Sequence, residues 1–291
     1  MVMKSVAIYG NRYQEEHLDG LRKFFRLLGE RGFQVYLERG FGSYLEESDV
    51  DTGDVFEVEE FPRGVDCVVS IGGDGTFLQA AQWVGMRETP ILGINTGHLG
   101  FLASYSLSEM DELLTVVSDG LGTIERRAVI EVNCDALPDG FWPYALNEVA
   151  VLKGDTASML TIHAEIDGYF LADYMSDGLL VATSTGSTAY NLSVGGPILQ
   201  PTLGCMVLSP IAAHSLTMRP VVVSGESRIV LTTSSRNCSC RLSLDGRSFT
   251  LHCGEKILLK EAPFKVSVLR RPDANFPSLL RNKLGWGKGL F

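Results

Sequence analysis

The chain has 291 residues, 45% hydrophobic and 21% charged, a globular composition with length for one large or two medium cores. Its formal net charge of -10 excludes the basic footprint of non-specific nucleic-acid binding, so no nucleic-acid partner is expected. Any phosphate it binds must be met mainly by backbone N–H groups and a divalent metal.

No stretch approaches the roughly 18 consecutive apolar residues of a membrane span, so no membrane partner is expected. Residues 1–10 read as a strand, without the long apolar run and small-residue cleavage site of a signal peptide, which makes a cytoplasmic location the expectation. The six cysteines are Cys67, Cys134, Cys205, Cys238, Cys240 and Cys253. In so large a chain they read as reduced and structural, and the pair Cys238-x-Cys240 has no second pair at zinc spacing.

In chain order, residues 5–9 form a short apolar run that ends at Gly10 and predicts a buried strand. Leu18, Leu21, Phe25 and Leu28 recur at three-to-four spacing and predict an amphipathic helix over 15–31, with Gly32 at its end. Residues 33–37 alternate as a strand. Residues 66–71 are a continuous β-branched run, the pattern of a strand covered on both faces of a parallel sheet. A glycine loop follows, then a helix over 76–83, a strand over 90–94 and a glycine-rich stretch to Gly100. Ser106 and Glu109 have capping-box spacing and open a helix to about Val117. This alternation predicts an α/β N-terminal domain with an open parallel, Rossmann-like sheet.

From about Arg126 the pattern changes to strands punctuated by Asp-Gly turns. Residues 129–133 and 144–152 flank Asp139-Gly140, residues 160–166 and 169–174 flank Asp167-Gly168, and residues 240–244 and 248–252 flank Asp245-Gly246. Asp-Gly between alternating strands is a strong hairpin signal, because both residues tolerate positive φ. A mainly antiparallel β C-terminal domain is therefore expected, with one short helix over 187–194. The tail from Arg270 reads as basic and irregular. The expected domains are 1–125 plus 265–291, an α/β nucleotide-binding domain, and 126–264, a β-rich domain.

Three segments carry polar chemistry. In Gly72-Gly73-Asp74-Gly75-Thr76 a buried strand turns into a helix N-terminus, a natural phosphate cradle at the carboxyl end of a parallel strand. A carboxylate there repels phosphates, so Asp74 binds a metal, accepts a proton from an attacking hydroxyl, or simply caps the helix. Asn147-Glu148 lies inside an expected strand and offers acceptors and amide donors to a base edge or ribose, or else is a strand edge facing solvent. Residues 176–191 run from a strand into a hydroxyl-rich loop that offers neutral donors to ligand oxygens, with Tyr190 available to stack on a base, or else form a Ser/Thr-rich helix cap. His98 and His214 are isolated and read as structural. No Gly-x4-Gly-Lys-Ser/Thr loop and no Gly-x-Gly-x-x-Gly fingerprint occur, which excludes a P-loop enzyme and disfavours a plain Rossmann dehydrogenase.

The three segments in this order resemble the NAD kinase family, which carries Gly-Gly-Asp-Gly-Thr, Asn-Glu and Asp-Gly-x4-Thr-x2-Gly-Ser/Thr-Thr-Ala-Tyr, the last matched from Asp177 to Tyr190. Gly195-Gly196-Pro197-Ile198 and the run from His214 to Pro220 resemble it as well. The first motif alone is shared with diacylglycerol and sphingosine kinases and phosphofructokinases. A lipid or sugar kinase leaves the other two segments unexplained, and a non-catalytic dinucleotide sensor has no need of Asp74.

The resemblance implies ATP or polyphosphate as donor, a divalent metal (Mg²⁺ or Mn²⁺), and the adenosine-ribose 2′-hydroxyl of NAD as acceptor. It implies Asp74 as base with Gly75 beside the dinucleotide, Asn147 and Glu148 on its adenine or ribose, and Asp177 with Thr188, Ala189, Tyr190, Asn191, Leu192 and Ser193 on NAD. Ala212, and Asp245 or Arg247, are implied as further contacts. It also implies a homodimer or homotetramer, with sites near subunit contacts and a C-terminal segment returning to the N-terminal domain. Two positions depart from the family pattern: Met175 stands where many bacterial members have Arg, and Ala182-Thr183-Ser184 replaces Ser-Thr-Pro.

Overall fold

The computed structural model describes residues 3–97, 100–154, 159–235 and 239–287. The chain divides into two compact units, one running to Arg126 and resuming at Val266, the other spanning Arg127–Lys265.

The first unit opens with strand β1 (Ser5–Gly10), helix α1 (Leu18–Glu30), strand β2 (Gln34–Glu38), helix α2 (Arg39–Glu47) and strand β3 (Val55–Val58). It continues with β4 (Cys67–Ile71), α3 (Asp74–Val84), β5 (Ile91–Asn95), β6 (Tyr105–Ser106), α4 (Met110–Asp119) and β7 (Thr123–Arg127). Every residue of β4 and β5 is buried, as their apolar runs require of strands covered on both faces. Leu21, Phe24, Phe25 and Leu28 of α1 pack with Val6, Ile8 and Val69 of the sheet and with Leu113 and Val117 of α4. Gly32, just past α1, has φ +68°, the left-handed stop that glycine permits. The capping box at Ser106 and Glu109 is formed, with one 3-10 turn before α4 begins.

Helix α2 carries only a short apolar pattern, Phe41, Tyr44 and Leu45, interrupted by Gly40 and Gly42. The Glu38 side chain starts it by accepting from the N–H groups of Gly40 and Phe41 at 2.9 and 2.8 Å.

The second unit holds β8 (Ile130–Asn133), β9 (Tyr144–Ala145), β10 (Glu148–Lys153), β11 (Leu160–Ile166), β12 (Tyr169–Ser176) and β13 (Gly178–Thr183). After the short helix α5 (Tyr190–Ser193) come β14 (Cys205–Ile211), β15 (Val221–Ser224), β16 (Ile229–Ser235), β17 (Ser239–Leu244), β18 (Arg247–His252) and β19 (Lys256–Glu261). Two antiparallel sheets result, ordered β15-β14-β13-β10-β17-β18 and β12-β11-β16-β19-β8-β9. Their inner faces share one core: Val149, Val151, Leu179, Val181 and Leu242 from the first meet Ile162, Leu231 and Ile257 from the second. The Asp167-Gly168 and Asp245-Gly246 turns form with positive φ at all four residues.

The chain then returns to the first unit as β20 (Val266–Arg270) and helix α6 (Phe276–Leu284). The first sheet is ordered β3-β2-β1-β4-β5-β20-β7, with β6 beside β5 and parallel pairing from β3 through β5 to β20. The tail from Arg270, expected to be irregular, thus holds a helix that Asn275 caps, entered from the fully buried strand β20.

A second expectation is corrected at residues 144–152. They are not one strand: β9 pairs with β8 in one sheet, β10 pairs with β13 and β17 in the other, and the chain changes sheet at Leu146-Asn147. Among the described residues, no helix is long and apolar enough to cross a membrane. Cys67, Cys134, Cys205, Cys240 and Cys253 are free thiols; Cys238 and His98 lie outside the described residues.

Candidate functional site

Strand β4 delivers Ile71 to the glycine loop, and α3 starts at Asp74. Its N-cap is Gly73, which has no side chain to occupy the first-turn N–H groups, so those of Asp74, Gly75 and Thr76 have no intrahelical acceptor. The Gly72 N–H is not available in the same way, because the Ile94 carbonyl accepts it at 2.9 Å. Donors with no acceptor among the described residues therefore begin at Gly73. A Cβ on Gly72, where φ is +153°, would overlap the Thr76 side chain.

Asp74 is not the helix cap. Its carboxylate turns away from α3 to the segment after β5, where the N–H of Phe101 donates to Oδ2 at 2.8 Å and those of Leu102 and Ala103 donate to Oδ1 at 3.0 and 3.4 Å. Gly100 lies so close that a Cβ there would overlap the carboxylate. An ionised carboxylate has about four lone-pair directions. Among the described residues three are occupied, one on Oδ2 and two on Oδ1, which leaves one direction on Oδ2. The side chain is thus held by the backbone with one acceptor position to spare.

In the second unit the crossing at Leu146-Asn147 is tied from two sides. Asp245, at φ +47° in the β17–β18 turn, accepts from the N–H groups of Leu146, Asn147 and Glu148 at 2.7, 2.9 and 3.0 Å. On the other side Thr183 donates its hydroxyl to the Leu146 carbonyl at 2.6 Å and its N–H to the Asn147 carbonyl at 2.9 Å. Asn147 is buried in this crossing.

Glu148 stands next to Asp245, and the Tyr190 N–H faces its carboxylate. Burial, then the Asp245 charge, push its carboxyl up to about 7 against the relief of that N–H. Its Oε2 is buried with no hydrogen-bond partner. An orphaned buried acceptor is costly and is the natural place for a ligand hydroxyl or amino group. The Tyr190 ring beside it is 40% exposed, an open aromatic surface.

The remaining expected residues behave differently. The Asn191 side chain is fully engaged, donating to the carbonyls of Ser187 and Pro197 at 3.1 Å each and accepting from Ser209 Oγ at 2.6 Å. Arg247 donates to the carbonyls of Trp142 and Tyr144 at 2.9 and 2.6 Å and lies over the Phe141 ring. Thr188 donates to the Thr185 carbonyl at 3.4 Å. Ala189, Leu192 and Ser193 complete the turn and helix α5 beside Glu148.

Asp177 and Ala212 lie elsewhere. Glu148 pairs with Ala182 and Leu152 with Gly178, so Asp177 stands just past the opposite end of the β10–β13 pair, five strand residues or about 17 Å away. There it pairs with Lys153 Nζ at 2.7 Å, and its N–H donates to the Ile211 carbonyl next to Ala212, which has φ +46°. Met175 and His214 are exposed at this same end, joined by the His214 N–H to the Met175 carbonyl at 2.9 Å. The expected residues of the second unit thus form two groups: Asn147, Glu148, Asp245, Arg247 and the turn 188–193 at one end, Asp177 and Ala212 at the other.

The Phe101–Ala103 turn and the side chains that hold its other face were not legible as site residues. A helix signal in the tail was available in Asn275, Pro277 and the spacing of Phe276, Leu279, Leu280 and Leu284 before Gly285.

A helix N-terminus opened by glycines at the end of a parallel strand, beside a carboxylate fixed by three amides, is the arrangement expected of a phosphate-handling enzyme. The comparisons with known proteins name which one. The family model described as ATP-NAD kinase N-terminal domain matches residues 6–121, and that described as ATP-NAD kinase C-terminal domain matches residues 146–270. The chain is 44% identical over 290 residues to an NAD kinase of Porphyromonas gingivalis, covering 99% of this chain and 100% of that one. It is 41% identical to an NAD kinase of Bacteroides fragilis, covering 97% of each. Among solved structures it is similar to yeast NADH kinase complexed with NADH, with a TM-score of 0.87 at 22% identity over 100% of this chain and 90% of that one. It is also similar to an NAD kinase from Archaeoglobus fulgidus in complex with ATP, with a TM-score of 0.74 at 28% identity over 97% and 100%. The chain belongs to the NAD kinase family.

Proposed function

We propose that the chain transfers the terminal phosphoryl group of ATP to the adenosine-ribose 2′-hydroxyl of NAD, giving NADP, with Asp74 as the base. The observation that carries this role is the Asp74 carboxylate itself, fixed by three backbone N–H groups with one acceptor direction left on Oδ2. Phosphoryl transfer asks for positioning and charge neutralisation more than covalent participation, and a carboxylate held in this way is pre-oriented to receive one proton.

The unpaired N–H groups from Gly73 to Thr76 are suited to the donor phosphates, where the helix dipole favours negative charge. Among the described residues no group of three or more His, Cys, Asp or Glu side chains stands together as a metal cage. The Gly73–Thr76 backbone would hold the donor phosphates together with a cation carried on them, as Mg²⁺ commonly is. Mg²⁺ or Mn²⁺ bound in that manner supplies charge neutralisation.

For the acceptor, Glu148 Oε2 takes a ribose hydroxyl or base amino proton, Asn147 completes the polar edge, and Tyr190 offers its ring to the base. Asp245, Arg247 and Asn191 serve the acceptor by fixing the backbone around Glu148, since their own polar atoms are bonded to the protein. Asp177 and Ala212 form the second contact group, and the distance between the two groups suits the homo-oligomer, dimer or tetramer, that the family resemblance implies. The α/β domain of residues 1–125 plus 265–291 handles the nucleotide donor, and residues 126–264 bind NAD. A cytoplasmic location suits free thiols and these metabolites.

The test is NADP⁺ formation by purified protein given NAD⁺, ATP and Mg²⁺, beside a chelator control. Metal-dependent NADP⁺ is the expected result. NAD⁺ binding without product, with NADH and polyphosphate also failing, would overturn the catalytic reading in favour of a sensor.

A further inference from the structure

The segment Gly100–Ala103 that cradles Asp74 is held on its other face by two cations from the C-terminal part of the chain. Arg270, buried in β20, donates through one guanidinium nitrogen to the carbonyls of Phe101 and Leu102 at 3.3 and 3.4 Å. Lys283 of α6 donates through Nζ to the Gly100 carbonyl and reaches the Ala103 carbonyl at 3.5 Å. All four carbonyls of the turn are thus directed at positive charge while three of its N–H groups are directed at the Asp74 carboxylate. Peptide units aligned between opposite charges polarise one another and resist reorientation.

We propose that Lys283 is a positioning residue for phosphoryl transfer: its ammonium group fixes the Gly100–Ala103 turn and, through that turn, the orientation of Asp74. The proposal rests on the reading of Asp74 as base. Within helix α6, whose apolar side chains are only partly buried, Lys283 is the side chain that hydrogen-bonds the turn.

Lys283 also differs from Arg270 in being able to lose its charge. Burial, opposed by Asp74 and reinforced by Arg270, lowers its ammonium to about 8. The other charged groups facing it across an adjoining cavity of about 290 Å³ are Glu109, Arg271 and Asp273. Arg271 is neutralised there by Glu109, Glu112 and Asp273. As pH rises through about 8 the grip on the turn weakens, so turnover should fall on the alkaline side.

The experiment is a set of kcat and KM profiles from pH 6.5 to 9.5 for the full chain, Lys283→Met, Lys283→Arg and Asn275→Ala, with thermal melts of each. Asn275→Ala removes the α6 cap while leaving Lys283 in place. Lys283→Met should lower kcat at pH 7 by about 10-fold or more with KM for NAD and ATP little changed, the pattern of a misplaced group. Lys283→Arg should keep most of kcat and lose the alkaline fall, and Asn275→Ala should keep both the wild-type kcat and the alkaline fall. Wild-type kcat and an unchanged profile in Lys283→Met would overturn the proposal. So would Asn275→Ala reproducing the defect, which would make the effect one of helix docking alone. Asp74→Asn in the same assay separates the two readings. If it keeps full turnover the base assignment fails. If it is inactive while Lys283→Met is normal, only the role of Lys283 fails.

Discussion

The Asp245 carboxylate accepts the N–H of Asn147 at 2.9 Å, tying a hairpin tip to a point in the chain 98 residues earlier where it passes from one sheet to the other. The neighbouring N–H groups of Leu146 and Glu148 converge on the same carboxylate. Leaving a sheet strands backbone donors that would otherwise pair across a ladder, and one buried carboxylate satisfies three of them. Asp245 is therefore first a structural residue, and its charge adds to burial in raising the Glu148 carboxyl.

Asp245→Ala should expose this dependence in stability. Three buried N–H groups lose their acceptor, at about 1–3 kcal/mol each when unsatisfied, so a loss of about 3–5 kcal/mol is expected even with partial relaxation. Urea unfolding of the variant measures it. A loss below about 1 kcal/mol would show that the crossing is held by Thr183 alone.

Glu148 should make stability depend on pH. Its folded-state value is raised, to about 7 from an ordinary 4.5, so its contribution is fully present below pH 4.5 and is lost as pH rises through 7. The difference corresponds to something on the order of 3 kcal/mol. Relative to wild type, Glu148→Gln should therefore gain stability between pH 4.5 and pH 8, measured by paired melts across that range. A flat difference would place the ionised carboxylate in a solvated site instead.

The same group predicts proton release on ligand binding. A hydroxyl or amino donor reaching Oε2 favours the ionised carboxylate, so NAD binding near pH 7 should lower its proton affinity. Calorimetry in two buffers of different ionisation enthalpy should show protons leaving, and Glu148→Gln should show fewer. Equal release from both proteins would remove Glu148 from the binding contacts.

Gly100→Ala should separate activity from folding. The added methyl would overlap the Asp74 carboxylate, whose simplest escape is to swing off the Phe101–Ala103 N–H groups. A fall in kcat of about 10² with a change in unfolding free energy near 1 kcal/mol is expected. Unchanged kcat would mean that the carboxylate orientation does not govern turnover.

How much of this was legible in the sequence depends on the range of the interactions. The strand into Gly72 and the helix after it could be read because burial on both faces demands an uninterrupted apolar run. The Asp-Gly turns could be read because positive φ restricts the residue types. The break at Leu146-Asn147 could not, since residues on either side are equally strand-like and only the partners, β8 on one side and β13 and β17 on the other, distinguish the sheets. Helix α2 was hidden by Gly40 and Gly42, which local propensity disfavours and which the Glu38 cap overrides. The Asp74 motif could be read as chemistry, but its cradle could not. The Phe101–Ala103 N–H groups and the cations of Arg270 and Lys283 come from segments about 30 and 200 residues away, joined only by the parallel sheet.

The central claim is that Asp74 takes the acceptor proton, and the most direct measurement is Asp74→Asn, assayed for NADP⁺ formation and for NAD binding in the same preparation. The amide keeps the side chain's size and one acceptor oxygen while removing the charge. The account predicts NAD binding within a few-fold of wild type and turnover reduced by roughly 10² or more. Near-normal turnover in a variant that binds NAD normally would contradict it.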